Sequence, residues 1–234
     1  VTRVRVVSLV PSVTETLLSW GITPVGVTRF CEQPDLPPVG GTKDPDIAAV
    51  VALEPDVVVV NVEENRREDA DALTAAGLDV HVTSIDSIAD VEPELAALAK
   101  AVGREAPIDQ LPRPPAVPLW TRAFIPIWRR PWMTMSGGCY GSSLLETLGV
   151  DNVFHNEAER YPTVELVDVV DRMPDVVLAP SEPYPFGTRH VAELSVLAPV
   201  VLVDGQDLFW WGARTPAAVE RLRAQLAAVD LDVP

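Results

Sequence analysis

Asp46-Ile47-Ala48-Ala49-Val50-Val51-Ala52-Leu53 reads as a helix. Glu54-Pro55-Asp56 stops it, and Val57-Val58-Val59-Val60 follows as a short strand. The same order returns 119 residues later: Val164-Glu165-Leu166-Val167-Asp168-Val169-Val170, then Pro174-Asp175, then Val176-Val177. A proline at the boundary ends the helical period, and the β-branched run behind it favours an extended chain. Past each strand comes a polar loop, Val62-Glu63-Glu64-Asn65 in one copy and Ser181-Glu182-Pro183-Tyr184-Pro185-Phe186 in the other. A helix follows each loop and leads to a strand, Val80-His81-Val82-Thr83 or Val200-Val201-Leu202-Val203. Upstream, Thr16-Leu17-Leu18-Ser19-Trp20-Gly21 parallels Ser143-Leu144-Leu145-Glu146-Thr147-Leu148-Gly149 at an offset of 128, a difference that unequal loops absorb. The chain is therefore expected to hold two halves built on one plan.

In the first half, strands are expected at 4–10, 24–28, 56–60 and 79–83, and helices at 13–20, 45–53 and 66–76. Short Val-rich strands alternating with helices imply a parallel sheet covered on both faces. Ser12 with Glu15 three residues on has the form of a capping box, and Gly21 and Gly77 stand where helices close. Trp20 ends an amphipathic helix and is expected in the core. Ile88, Val91, Leu95, Leu98 and Val102 fall at helical spacing, so a helix over 88–103 is expected to bridge the halves. Residues 104–118 are proline-rich and cannot continue it. The second sheet is expected to begin near Ala123–Trp128, with Pro126 putting that strand at an edge or at its own start. The fold class is α/β: two Rossmann-like lobes with parallel sheets, 1–86 and 119–234, joined through 87–118 by a single helix.

Composition narrows the function. The 234 residues are 47% hydrophobic and 22% charged, which excludes a disordered chain, and no apolar run is long enough to span a membrane. Eighteen basic against 34 acidic residues leave a net charge of −16, a field that repels nucleic acid. Cys31 and Cys139 are the only cysteines, and His81, His155 and His190 the only histidines, so no protein-only metal site is expected. The Gly-rich Ser136–Ser142 is neither a dinucleotide fingerprint nor a P-loop, Gly40-Gly41-Thr42-Lys43 reads as a turn, and no G-x-S-x-G is present. These exclusions favour a binding protein, with no catalytic residue and no covalent cofactor, over an enzyme. The chain opens directly on a strand. It is extracytoplasmic if a leader was removed and cytoplasmic if Val1 is the native start.

Ligands of parallel α/β sheets sit beyond the carboxyl ends of the strands. Two such lobes face to face would form a cleft lined by those loops. Twelve of the 14 aromatic residues lie between Trp120 and Trp211, so the second lobe is expected to supply an aromatic wall: Trp128, Tyr184, Phe186, Trp210 and Trp211, with Tyr140 and Glu182 nearby. Residues 205–212 read as a loop carrying the adjacent tryptophans. The first lobe would present Phe30, Asn61, Glu63, Glu64 and Asn65, although the glutamates also suit an acidic helix start. Arg129 and Arg214 are candidate cations for an anionic group, and Arg214 equally suits a surface ion pair.

Arg5-Val6-Val7-Ser8-Leu9-Val10-Pro11-Ser12-Val13-Thr14-Glu15, Pro24–Thr28, Ile47–Val60 and Ser143–Phe154 together resemble the cobalamin and iron-siderophore substrate-binding proteins of ABC importers. The resemblance covers nearly the whole chain. It implies the helical-backbone receptor fold, of the class III periplasmic-binding-protein type, with two α/β lobes and one bridging helix. It further implies capture of a metal chelate in an interlobe cleft for uptake through an ABC permease, by a monomer. Cobalamin or another corrin or tetrapyrrole would be the first ligand and a ferric siderophore the second. Phe30 matches a cleft aromatic of the family, whereas Gln33 and Asn61 stand where its cobalamin binders carry aromatics. The family's transporter-docking position falls near Arg67 and Glu68, and the motifs at 61–68, 181–186 and 204–214 resemble those of a signal-less branch. A cytosolic carrier or sensor without a transporter is the alternative reading, and an enzyme the third.

Overall fold

The computed structural model describes residues 4–104 and 121–227. It divides into two compact units, one of residues 4–85, 89–104 and 211–214, the other of residues 86–88, 121–210 and 215–227. The first unit runs β1 (Val6–Ser8), α1 (Pro11–Ser19), β2 (Gly26–Val27), α2 (Ile47–Ala52), β3 (Val57–Asn61), α3 (Arg67–Ala75), β4 (Val80–Thr83) and α4 (Val91–Ala101). The second runs β5 (Thr121–Phe124), α5 (Tyr140–Glu146), β6 (Val150–Asn152), α6 (Leu166–Asp171), β7 (Val176–Pro180), α7 (Thr188–Leu194), β8 (Val200–Val203), α8 (Gly205–Phe209) and α9 (Thr215–Ala227). The sheet orders are β2-β1-β3-β4 and β6-β5-β7-β8, parallel throughout, so the two units share one topology.

Every residue of β3 and of β7 is buried, which is why residues 57–60 and Val176–Pro180 read as unbroken apolar runs with no alternation. Val50 on α2 and Val169 on α6, 119 residues apart, are both fully buried in their unit's core. The Pro-Asp turn that announces the repeat does the same work twice. The Arg5 N–H donates to Asp56 Oδ2 at 2.7 Å, and the Asp56 N–H returns to the Arg5 carbonyl at 2.8 Å. In the second unit the Arg122 N–H donates to Asp175 Oδ2 at 2.7 Å, and the Asp175 N–H to the Arg122 carbonyl at 2.8 Å. Each aspartate thus clasps the first strand of its unit beside the third. The residue before each proline is left-handed, Glu54 with φ 44° and Met173 with φ 46°. The guanidiniums reach the carbonyls exposed there, Arg5 Nε to Glu54 O at 3.0 Å and Arg122 Nη1 to Met173 O at 3.2 Å.

Several expectations need correction. The first helix begins at Pro11, whose ring presets φ for a first turn, and Val10 holds the cap position without a side-chain bond. Ser12 is therefore inside the helix and buried, and Ser12 and Glu15 form no capping box. The leading strand of the second sheet is Thr121–Phe124 and lies in the interior of the sheet. Pro126 falls beyond its end, where no ladder bond is needed. Residues 205–209 form a helix, because the Asp204 carboxylate accepts from the Gln206 N–H and caps a turn that the glycine conceals. A Cβ on Gly205 would come within 2.6 Å of the Glu182 nitrogen, so this glycine permits close approach and does not break the chain. Gly21 and Gly77 do close helices, and Trp20 is buried as expected. Of the stretch expected to bridge the halves, Ile88–Asp90 is a 3-10 turn and Val91–Ala101 a helix; the proline-rich link lies outside the described residues from 105 onward.

Candidate functional site

At the carboxyl edge of the second sheet, β5 runs into a hairpin in which Trp128 and Met133 exchange backbone bonds of 3.2 and 3.4 Å. The hairpin lifts Trp128 to 43% exposure. From the end of β7, the loop 181–187 folds back so that the Phe186 N–H reaches the Pro180 carbonyl at 3.2 Å. These two loops bring the rings together. Trp128 meets Tyr184 edge-on at 5.6 Å, Tyr184 meets Phe186 at 4.7 Å, and Phe186 stacks on Trp132 at 6.1 Å with planes 8° apart. Phe186 is buried in the core, so the surface that remains is Trp128 and Tyr184, with Phe186 and Trp132 as backing.

Three residues of α7 and its entry lock that surface from behind. His190 is buried, and its Nδ1 accepts from the Gly187 N–H at 3.1 Å. That bond requires Nδ1 to be unprotonated, which leaves the Nε2 hydrogen for the Tyr184 oxygen 3.5 Å away. Burial, with Arg189 and Arg129 adding to it, holds the imidazole below its ordinary value. Glu193 takes Arg129 in a bidentate pair, Nε to Oε2 at 2.9 Å and Nη2 to Oε1 at 3.0 Å. The same guanidinium lies 5.9 Å over the Trp132 ring. Arg129 was expected as a cation for a ligand, whereas its charge is already matched. His190, Glu193 and Trp132 were not anticipated: Arg129 and Glu193 are 64 residues apart, and nothing local in sequence joins them.

The remaining second-lobe candidates are placed differently. Tyr140 is buried at the start of α5, with its hydroxyl 3.1 Å from Thr215 Oγ1 on α9. Glu182 passes beneath Gly205 and is half-buried. Trp210, half-buried, follows α8, which Asp207 ties to α9 through paired bonds of 2.6 Å from Arg221. Trp211 is buried and belongs with residues 211–214 to the first unit, while Trp210 belongs to the second. There the Ala213 N–H donates to Thr16 Oγ1 at 3.1 Å, and Arg214 pairs with Glu15 at 2.8 Å.

The carboxyl edge of the first sheet is polar and tied to itself. Asn61 ends β3 and its Oδ1 accepts from the N–H groups of Glu63 and Glu64, while its Nδ2 donates to Thr83 Oγ1 at 3.1 Å. Asn65 Oδ1 accepts from the Asn61 N–H at 2.8 Å, and its Nδ2 donates to the carbonyls of Leu9 and Thr42 at 3.1 and 2.9 Å. Both donors of Asn65 are therefore committed to backbone. Lys43 donates to the Glu63 carbonyl, and burial pushes the Glu64 carboxyl up, with Lys43 opposing and Glu63 reinforcing the shift. Helix α3 starts at Arg67, after this loop. Phe30 is 51% exposed beneath the Arg29 guanidinium, which lies 4.9 Å from its centroid and is itself paired with Asp44. Val27, Thr28, Arg29, Gln33, Leu36 and Pro38 line much of a cavity of about 270 Å³. The sequence signal for that cavity was the proline run 34–38, which brings the chain back along β2.

Among the described residues no group of three His, Cys, Asp or Glu side chains is gathered to hold a metal ion, and no helix is long and apolar enough to cross a membrane. Cys31 and Cys139 are both buried and are not joined by a disulfide. The arrangement offers aromatic faces at one sheet edge, suited to a flat ligand.

No family model matches the chain. It is similar to the vitamin B12-binding protein of Salmonella choleraesuis (strain SC-B67), at 28% identity over 74% of this chain and 71% of the relative. Its structure is similar to that of the periplasmic vitamin B12 binding protein BtuF of Vibrio cholerae, with a TM-score of 0.76, 19% identity, and 95% and 96% of the two chains covered. It is likewise similar to the periplasmic heme-binding protein BhuT in complex with two hemes, with a TM-score of 0.77, 19% identity, and 95% and 97% covered. The two parallel four-stranded sheets define the α/β two-lobe fold class of these structures, as the duplicated sequence pattern implied. Within that class, the sequence similarity is to proteins named vitamin B12-binding protein, at 24–28% identity.

Proposed function

We propose that this chain captures a corrinoid or related planar metal chelate outside the cytoplasm and delivers it to an ABC permease. Its relatives carry the names of binding proteins, and the fold is theirs. The observation that carries the reading is the Trp128–Tyr184 surface, backed by Phe186 and Trp132, at the carboxyl edge of β5 and β7. An aromatic face exposed at that edge, on loops held by backbone bonds, is where an open α/β sheet takes a ligand. It offers a macrocycle a flat partner worth about 0.5–1.5 kcal/mol per ring beyond the area covered. The metal would arrive inside its chelate, so the protein need supply no ligand cluster of its own.

The test is a titration with cyanocobalamin, haemin and a ferric hydroxamate siderophore, read by tryptophan quenching and by equilibrium dialysis. Saturable binding of cyanocobalamin, weakened several-fold in Trp128→Ala, is the expected result. Saturable binding of haemin alone would move the ligand to a porphyrin. No saturable binding of any of the three would overturn the reading.

A further inference from the structure

The Trp128–Tyr184 surface has one guanidinium at its back, and that guanidinium is already taken. Arg129 is held by both oxygens of Glu193 at 2.9 and 3.0 Å, with its side chain 20% exposed against 38% for Glu193. A bidentate arginine–carboxylate pair is among the strongest polar contacts a surface can hold, and it leaves no net charge. The neighbouring cations Arg130 and Arg189 are exposed, where water and salt screen them. A carboxylate on a ligand would have to displace Glu193 from Arg129 and then sit beside the displaced carboxylate. It would do so on a chain that carries a net charge of −16.

The geometry points to Glu193 as a specificity-determining residue that neutralises Arg129, so that the aromatic wall selects chelates with an uncharged, amide-bearing periphery over chelates with free carboxylates. This rests on the functional reading above and adds the charge class of the ligand. Substitution Glu193→Gln keeps the length of the side chain and one acceptor for Arg129 while removing the negative charge. Arg129→Gln removes the cation and leaves Glu193 bare.

The experiment uses matched probes: cyanocobalamin and its three monocarboxylic acids, each made by hydrolysing one propionamide. Dissociation constants are measured by dialysis for the wild type and both variants, with thermal melts to establish that each is folded. For the wild type, the acid weakened most should bind several-fold less tightly than cyanocobalamin. Glu193→Gln should shrink that ratio about two- to five-fold, the range of a partly exposed charge interaction, and Arg129→Gln should enlarge it. Equal binding of acid and amide by the wild type would overturn the proposal. So would a folded Glu193→Gln that weakens both probes alike and leaves the ratio unchanged. Failure of every corrinoid to bind would overturn the proposal, and the functional reading falls with it only if haemin and the ferric siderophore fail to bind as well.

Discussion

Replacing Asn65 by Ala separates a ligand-facing residue from one that holds its own loop. The side chain joins three separate stretches of backbone: it accepts from Asn61 N–H at 2.8 Å and donates to Leu9 O at 3.1 Å and Thr42 O at 2.9 Å. Two of those partners are buried, and each would be orphaned at a cost of about 1–3 kcal/mol; water can reach the third, at Thr42, more easily. A water entering the vacated space would recover part of this, so about 2–4 kcal/mol is expected. With a urea slope of about 1–3 kcal/mol/M, the midpoint of the first unit should fall by roughly 1–3 M, followed by far-UV circular dichroism. Asn65→Asp should cost a similar amount near neutral pH, because an oxygen replaces the amide facing two carbonyls. That loss should ease in acid, where the carboxyl regains a donor. Chelate affinity of the folded Ala variant should stay within about two-fold of wild type. A variant within about 0.5 kcal/mol of wild-type stability that has lost tenfold or more in affinity would refute the reasoning and return Asn65 to the ligand site.

Asp56→Ala and Asp175→Ala should each cost about 1–2 kcal/mol, alike because the two clasps have the same geometry, and the costs should add in the double variant. Denaturant titration finding one aspartate dispensable would show that the repeat is similar in form only. His190, held below its ordinary value, contributes stability that is present above about pH 6.5 and is lost as pH falls from there toward its lowered folded value, because the unfolded chain takes up the proton first. His81 is shifted the same way by burial, so the measurement is the difference in melting temperature between wild type and His190→Gln across pH 5–8; a difference that does not change with pH would exclude the burial of a neutral His190 as the cause.

What could be read from the sequence was what is local or repeated. Val50 and Val169, Pro55 and Pro174, Asp56 and Asp175 recur at one offset, and a recurring pattern of helix, turn and buried strand specifies a sheet with little ambiguity. The site was less legible because its residues are assigned by partners far along the chain. Arg129 looks like a free cation until Glu193 is found beside it, and Arg214 until Glu15 is. Tyr140 and Trp211 have the composition of a binding wall, but the core takes them. Helix α8 was hidden for a different reason: Gly205 is a helix breaker by propensity, and the contact with Glu182 that demands it belongs to tertiary structure.

The two sheet edges differ in kind, and one position accounts for much of the difference. Asn61 ends β3 and pairs with Thr83; Pro180, 119 residues on, ends β7 and pairs with Val203. Asn61 has a backbone N–H that is buried and must find an acceptor, and Asn65 supplies it. The loop is then four residues long, closed by the Asn65 N–H on the Asn61 carbonyl at 3.0 Å, and its amides are consumed. Pro180 has no N–H, so its loop owes no acceptor to the strand. That loop closes later, with the Phe186 N–H on the Pro180 carbonyl at 3.2 Å, and the added length carries Tyr184 out to meet Trp128. One duplicated frame thus yields a self-satisfied polar edge in the first unit and an available aromatic edge in the second. On this argument Pro180→Asn, which restores the demand for an acceptor at the end of β7, should disturb the Tyr184 loop and weaken chelate binding, while Asn61→Pro should act on the stability of the first unit alone.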